Sequence, residues 1–295
     1  MLLRLYLVLS FLFGSNYLLK AQITKEFKVN EKEGFNLVQV DFNVYKGISE
    51  IKRHKEDSPL HVSCQLSKVN ILPTFSHEIK NKVLHSSLVH KNVESENLGK
   101  SLSYKLFSSS NDDFDHSWKI GLNSHFLYAL NFHFGIGKAM FDLSHLPISN
   151  CIIKSASADI KLDYSQKMAN SVKMDTMMVS INMGTLDADH LNFTNAKKMI
   201  FEANYGTLNL SFSEKMSEAC QIQAIVGAGK VEFWLQDDNQ PIIIKIKSTA
   251  MSRTNIPKHF KEIAPKTYVN KAYNENAGNL MKLTIDVSVG SVTIK

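Results

Sequence analysis

The sequence predicts an all-β protein, a single-stranded β-solenoid of about six coils with a smaller β-region ahead of it. Three observations predict it. Six segments are anchored on a small residue, at Gly137, Ala158, Gly184, Gly206, Gly229 and Gly290, in steps of 21, 26, 22, 23 and 61 residues. Around each anchor, apolar side chains recur at −7, −5 and −3 and again at +2 and +4, as in Met177, Val179, Ile181, Leu186 and Ala188 around Gly184. Seven of the 13 glycines fall inside these segments, where the chain must turn with no side chain in the way.

Alternation at period two marks a strand with one buried face. Each segment therefore reads as a strand, a tight turn and a second strand. An antiparallel meander would join such strands through hairpins with turns such as Asn-Gly. Near-constant spacing, with one residue class at five offsets, favours coils that stack equivalent residues into a continuous interior.

Along the chain, residues 1–21 read as a secretory leader: Arg4, an apolar run from Leu5 to Phe13, and Ala21 at the cut. Nine residues fall well short of the roughly 20 that a spanning helix needs, so no membrane segment is expected once the leader is removed. Residues 22–110 read as a β-region capping the first coil. Its strands are expected within Phe27 to Val44, at Gly47-Ile-Ser-Glu-Ile51, His61 to Leu66 and Leu102 to Phe107. The polar run from Ser108 to Asp115 marks a boundary, and residues 111–295 form the solenoid. Within the 61-residue step, Ile242, Ile244 and Ile246 start one ordinary coil. An aperiodic stretch at about 248–279 then reads as an inserted flap, and long loops of this kind often carry function.

Composition narrows the function classes. With 44% hydrophobic and 21% charged residues the chain is neither disordered, collagenous nor a coiled coil. Net charge is +6, falling to +4 without Arg4 and Lys20, and only Arg4, Arg53 and Arg253 are arginines. Nucleic-acid recognition favours clustered arginine, whereas these lysines are scattered over outward strand positions. Cys64, Cys151 and Cys220 allow at most one disulfide. Cys151 falls at an inward position and is expected buried and reduced.

At Phe141-Asp-Leu-Ser-His-Leu-Pro, Ile153-Lys-Ser-Ala-Ser-Ala-Asp-Ile, Met183-Gly-Thr-Leu-Asp-Ala, Tyr205-Gly-Thr-Leu-Asn-Leu-Ser-Phe and the ending Leu283-Thr-Ile-Asp-Val-Ser-Val-Gly-Ser-Val-Thr-Ile, the sequence resembles a known family. It is that of exported bacterial proteins with a toast-rack or LiaF-like (cell-wall-active antibiotic response) β-solenoid, close to the adhesin-type β-solenoids. The resemblance covers residues 131–295, and the N-terminal region more weakly. Tyr268 and Tyr273-Asn resemble the family's flap. The resemblance implies an envelope-associated, non-enzymatic domain and offers no active-site residues. Ala158 departs from the glycine pattern, which puts that one turn in question.

Chemical motifs are sparse. Gly135-Ile-Gly-Lys138 lacks the spacing and the following helix of a phosphate loop. Asp112, Asp113, Asp115 and His116 lack the order of a calcium loop and read as a solvated linker. The 11 histidines show no H-x-x-x-H spacing, and no metal or other cofactor is expected. His125 and His133 fall in a strand-like run, facing out or hydrogen-bonded. Outward Asp159, Asp163 and Asp187 could meet if coils stack in register, which would suit a carbohydrate-active enzyme.

The expected function is a non-catalytic exported envelope scaffold or adhesion module binding an envelope protein or glycan. Lys258, Lys261, Lys266, Tyr268, Lys271 and Tyr273 of the flap are the candidate contacts. The alternatives are that carbohydrate-active enzyme and an accessory partner in envelope stress sensing.

Overall fold

The structure, a computed structural model, describes residues 23–66, 72–90 and 116–295. The leader, the strand expected at Leu102 to Phe107 and the boundary run Ser108 to Asp115 lie outside the described residues. Among the described residues, sixteen strands join in one sheet. The first six are β1 (Ile23–Lys28), β2 (Leu37–His54), β3 (Leu60–Leu66), β4 (Thr74–Lys80), β5 (Val83–His90) and β6 (Ser117–Asn123). The coils follow as β7 (Tyr128–Asp142), β8 (Ile148–Asp163), β9 (Met174–Ala188), β10 (Ala196–Phe212) and β11 (Cys220–Leu235). Then come β12 (Ile242–Ser248), β13 (Ser252–Asn255), β14 (Lys261–Ala264), β15 (Thr267–Val269) and β16 (Met281–Ile294). Among the described residues the only helical element is a single 3₁₀ turn, Leu191–Thr194.

The long strands β2, β7, β8, β9, β10, β11 and β16 are neighbours in that order, all parallel. This is the solenoid, and the expected register holds: Gly137 pairs with Ala158, Gly184 with Gly206, Gly206 with Gly229 and Gly229 with Gly290. The echo at Gly47 is also real, since Gly47 pairs with Gly137 and makes β2 a coil of the same sheet.

The glycine corner explains the phase of the apolar pattern. Positions −3 and +2 are five residues apart, so on a straight strand they would face opposite ways. A bend at the anchor reverses the phase, and both arms turn their apolar side chains to one core. Val179, Ile181, Leu186 and Ala188 are all 1% exposed or less. Stacked corners also leave no room for a Cβ. One added at Gly290, where φ is 130°, would stand 1.7 Å from the Gly229 carbonyl oxygen.

Ala158 is where that stacking loosens. The β8–β9 ladder runs to Ser155 with Ile181 and resumes only at Ile160 with Leu186. Side chains take over in the gap: Ser155 Oγ accepts from the Ala158 amide at 2.7 Å, and Asp159 Oδ1 accepts from the Thr185 amide at 3.0 Å.

The two ends are built alike. The outer edge of β2 is shared by two short parallel strands, β5 along its first arm and β6 along its second. That of β16 is shared by β12 and β13 in the same manner. Antiparallel strands follow, β4 on β5, β3 and β1 beyond β6, and β15 and β14 beyond β12. The sequence placed the Ile242 strand as the coil after β11. Instead, β16 slots between β11 and β12, because an alternating apolar strand can stack on either face of its partner coil.

Buried amides tie the return loops together. Asn170, 2% exposed, accepts from the Ile148 amide at 3.1 Å and donates to the Ile148 carbonyl at 2.7 Å. Gln240 accepts from the Met216 amide at 2.7 Å and donates to the Asn279 carbonyl at 2.6 Å. Asn270 joins Ile242 to Gln240 in the same way. These bonds satisfy buried main-chain groups that the loops would otherwise strand.

Candidate functional site

Residues one, three and five beyond each corner point outward from the second arm. Register places Glu50, Met140, Lys161, Asp187, Asn209, Glu232 and Thr293 side by side in the third position. The fifth position carries Asp142, Asp163, Asp189, Ser211, Trp234 and Lys295. Parallel coils repeat about every 4.8 Å, so each row is a rigid file of side chains.

Most charges in these files are held by a neighbour. Asn209 Nδ2 donates to Asp187 Oδ1 at 2.6 Å, and His190 Nδ1 and Asp163 Oδ1 lie 2.8 Å apart. Glu232 pairs with both Lys230 and Lys295, and hydrogen bonds from those two lysines hold its carboxyl below the ordinary range. For Asp142, burial pushes the carboxyl up, but hydrogen bonds from Ser165 and Ser144 outweigh it and the net shift is downward.

Across β9, β10 and β11 the files open into a groove of about 490 Å³. Lys161, Asp187, Asp189, Asn209, Ser211, Trp234 and Gln236 line it. Trp234 is 41% exposed, an unusual setting for so large an apolar side chain. Lys295 lies over its ring, 3.8 Å from the centroid, from the β16 side. The groove opens on the β10 side, where the neighbour in register is the small Ser211. A shallower groove of about 340 Å³ on the first arm is lined by His133, Lys154, Ser180, Asn182 and Asn204 among others.

The flap residues fall in three places. Lys258 is exposed in the turn that Phe260 closes onto Pro257, and Lys271 and Tyr273 follow β15, with Lys271 exposed and Tyr273 half-buried. The hairpin of β14 and β15 carries Lys261, Lys266 and Tyr268. Lys261 is exposed. Lys266 Nζ donates to the Ser248 carbonyl at 2.9 Å and to Ser248 Oγ at 2.8 Å, pinning the hairpin to the end of β12. Tyr268 packs against the core, and burial, with Glu262 adding to it, pushes its phenol up.

The three outward aspartates do not meet. Asp159 caps the Thr185 amide, Asp163 faces His190, and Asp187 lies between Lys161 and Asn209. Of the acidic run, only His116 is described, and its ring packs on His90, 5.4 Å between centroids. His125 lies in the turn before β7 rather than in the strand, its amide donating to Asn123 Oδ1 at 2.8 Å. His133 is on β7, 3.1 Å from Asn131 Oδ1. Among the described residues no three His, Cys, Asp or Glu side chains converge as a metal site would require, and no helix is long and apolar enough to cross a membrane. Cys64, Cys151 and Cys220 are all buried and free.

The family model for the N-terminal domain of toast_rack, DUF2154, matches residues 19–184, more than half the chain. The chain belongs to the toast_rack family. Three solved structures are similar to this toast_rack protein. A candidate cell adhesion protein from Clostridium sporogenes is 17% identical with a TM-score of 0.48, covering 93% of this chain and 99% of its own. A candidate adhesin from Bacteroides fragilis is 13% identical with a TM-score of 0.35, covering 94% and 98%. One from Parabacteroides distasonis is 11% identical with a TM-score of 0.29, covering 93% and 97%. No curated protein matches significantly. The match to the toast_rack N-terminal domain ends at the corner of β9, and the groove residues Asp187, Asp189, Asn209, Ser211 and Trp234 lie beyond it.

Sequence reasoning named Asp187 as outward but missed Trp234, Asp189 and Gln236. The signal was present: five residues past Gly229 the phase points out, and a tryptophan stands there in line with the polar outward residues Lys230, Glu232 and Gln236.

Proposed function

We propose that this toast_rack protein is an exported, non-catalytic adhesion or interaction module of the cell envelope, binding an envelope protein or glycan through its outer faces. One observation carries the reading. Most outward carboxylates of the second arm, Asp163, Asp187 and Glu232 among them, are held in fixed hydrogen bonds, while an indole beside them is left 41% exposed. Acid–base catalysis needs a carboxyl kept free and poised. Recognition needs rigid, pre-oriented partners and exposed aromatic surface. The leader pattern supports export. Lys258, Lys261 and Lys271 offer exposed charge for a second contact, with Lys266 and Tyr268 keeping their hairpin in place and Tyr273 half-buried after it.

The test is co-sedimentation of the purified protein with isolated envelope fractions at low and high salt. Binding that survives high salt supports a specific module, and no binding at either salt overturns it. Removing residues 248–279 without loss of binding excludes the flap as a contact. Turnover on a glycan panel, abolished by Asp159→Asn or Asp187→Asn, would replace this reading with a carbohydrate-active enzyme.

A further inference from the structure

We infer that the groove on β9, β10 and β11 is a saccharide subsite, with Trp234 as its stacking platform and Asp187, Asp189 and Asn209 as its hydroxyl-binding wall. The inference rests on the interaction-module reading and names the class of ligand for one surface of it. A pyranose has two chemically different aspects, a face of C–H groups and a rim of hydroxyls. The face is weakly positive and apolar, and it suits the negative face of an indole. The rim presents adjacent oxygens that both donate and accept, and it suits carboxylate and amide groups, which offer two polar atoms in one plane.

The groove supplies both aspects side by side. Ser211, next to Trp234 in register, is too small to cover the indole on that side. The hydrogen bond between Asn209 Nδ2 and Asp187 Oδ1 fixes both planar groups. It uses one Asp187 oxygen and one Asn209 N–H, which leaves Asp187 Oδ2 and the amide oxygen and second N–H of Asn209 to serve a pair of hydroxyls. Asp189 adds a further acceptor at the groove wall. The volume of about 490 Å³ falls within the roughly 300–1,000 Å³ of small-ligand sites.

Two features set specificity and strength. Asp187 and Asp189 outnumber Lys161 among the charged lining groups, so acidic sugars are repelled and neutral or amino sugars accepted. The platform is also immobilised beforehand. Lys295 lies over the indole and is itself held by Glu232 at 2.9 Å, so little side-chain freedom is lost on binding. The groove is open to solvent, which suits weak single contacts strengthened by repetition on a glycan surface.

The experiment is a panel of neutral, amino and acidic oligosaccharides probed with the purified protein, followed by titration of any ligand found while Trp234 fluorescence is monitored. Binding to a neutral or amino saccharide is expected, with a shift in tryptophan emission. Trp234→Ala should weaken it at least tenfold, and Ser211→Tyr, which fills the groove and keeps the indole, should weaken it similarly. Glu33→Ala, at an exposed position between β1 and β2, should leave it unchanged. Thermal melts of each variant distinguish loss of binding from loss of fold. Saccharide binding that persists in both groove variants, or a preference for acidic sugars, overturns the inference. Envelope binding without any saccharide binding overturns it too, while leaving the interaction-module reading standing and pointing to a protein partner. Absence of both overturns the two together.

Discussion

Lys295 Nζ lies 3.8 Å from the centre of the Trp234 ring while donating to Glu232 Oε2 at 2.9 Å. One ammonium therefore braces an exposed indole and closes an ion pair, linking β11 to the end of β16. Such contacts contribute about 0.5–1 kcal/mol at partly exposed sites. Lys295→Ala is accordingly expected to lower stability by under about 1 kcal/mol but to loosen the indole. Acrylamide quenching reads this cleanly, because the other tryptophan, Trp118, is fully buried. The quenchable fraction should gain a larger quenching constant in the variant, and an unchanged constant would remove the brace.

The same pair sets a pH dependence. Hydrogen bonds from Lys230 and Lys295 hold the Glu232 carboxyl below its ordinary value. A depressed folded-state pKa means the stabilisation is fully present above the unfolded value, about 4.3, and is lost as pH falls through the folded one. Trp234 emission should therefore stay constant from neutral pH down to about 4.3 and change only below it. In Lys295→Ala the change should begin at higher pH. A wild-type midpoint above the ordinary glutamate range would contradict the pairing.

Stacked corners make a sharper prediction. A Cβ on Gly290 would meet the Gly229 carbonyl oxygen at 1.7 Å, at a φ of 130° that L side chains avoid. Both penalties act on backbone packed between β11 and β13, so Gly290→Ala is expected to cost about 3 kcal/mol or more. A Cβ on Gly278 would have nothing within 4 Å of it, and Gly278→Ala should change stability by under about 0.5 kcal/mol. Urea unfolding of the two variants side by side checks the contrast.

These corners are also why so much of the fold was legible. Where backbone packs this closely on backbone only a small residue fits, glycine at most corners and alanine at Ala158, so the spacing of small residues along the chain is the stacking register itself. The steps of 21, 22, 23 and 61 recur as the pairings of Gly137 with Ala158, Gly184 with Gly206, Gly206 with Gly229 and Gly229 with Gly290. Spacing carries no information about which side of a coil the next strand takes, and so the insertion of β16 between β11 and β12 was hidden. Asn170, Gln240 and Asn270 were invisible for another reason. They act from aperiodic loops, where amide residues are common whether or not they bridge anything. Trp234 was within reach of the same phase argument that located Asp187, extended by one more outward position.

The cysteines should behave as packing residues. Cys64, Cys151 and Cys220 are 1%, 0% and 2% exposed, and burial pushes the thiols of Cys151 and Cys220 up to about 12. Thiolate is the reactive species, so an aromatic disulfide reagent at neutral pH should titrate no thiol in the folded protein. All three should react in denaturant without reductant. A count of one there would show that two of them pair.

Asn170 offers the most direct test of the loop clamps. It accepts from the Ile148 amide and donates to the carbonyls of Ile148 and Thr194, at 2.7 and 3.3 Å, from a side chain 2% exposed. Asn170→Ala strands these buried groups, and the expected loss is about 2–4 kcal/mol. Hydrogen exchange should quicken at the Ile148 amide before the rest of β8. Asn170→Asp separates the donor from the acceptor role. Its carboxylate still accepts from Ile148 but faces two carbonyl oxygens with negative charge, and burial disfavours that charge further. The introduced carboxyl is then held protonated in the folded state above its unfolded value, about 3.9. The folded protein binds the extra proton, so this variant should gain stability relative to wild type as pH falls from 7 toward about 4. Equal destabilisation of Asn170→Asp across that range would mean that the amide N–H contributes nothing to the clamp.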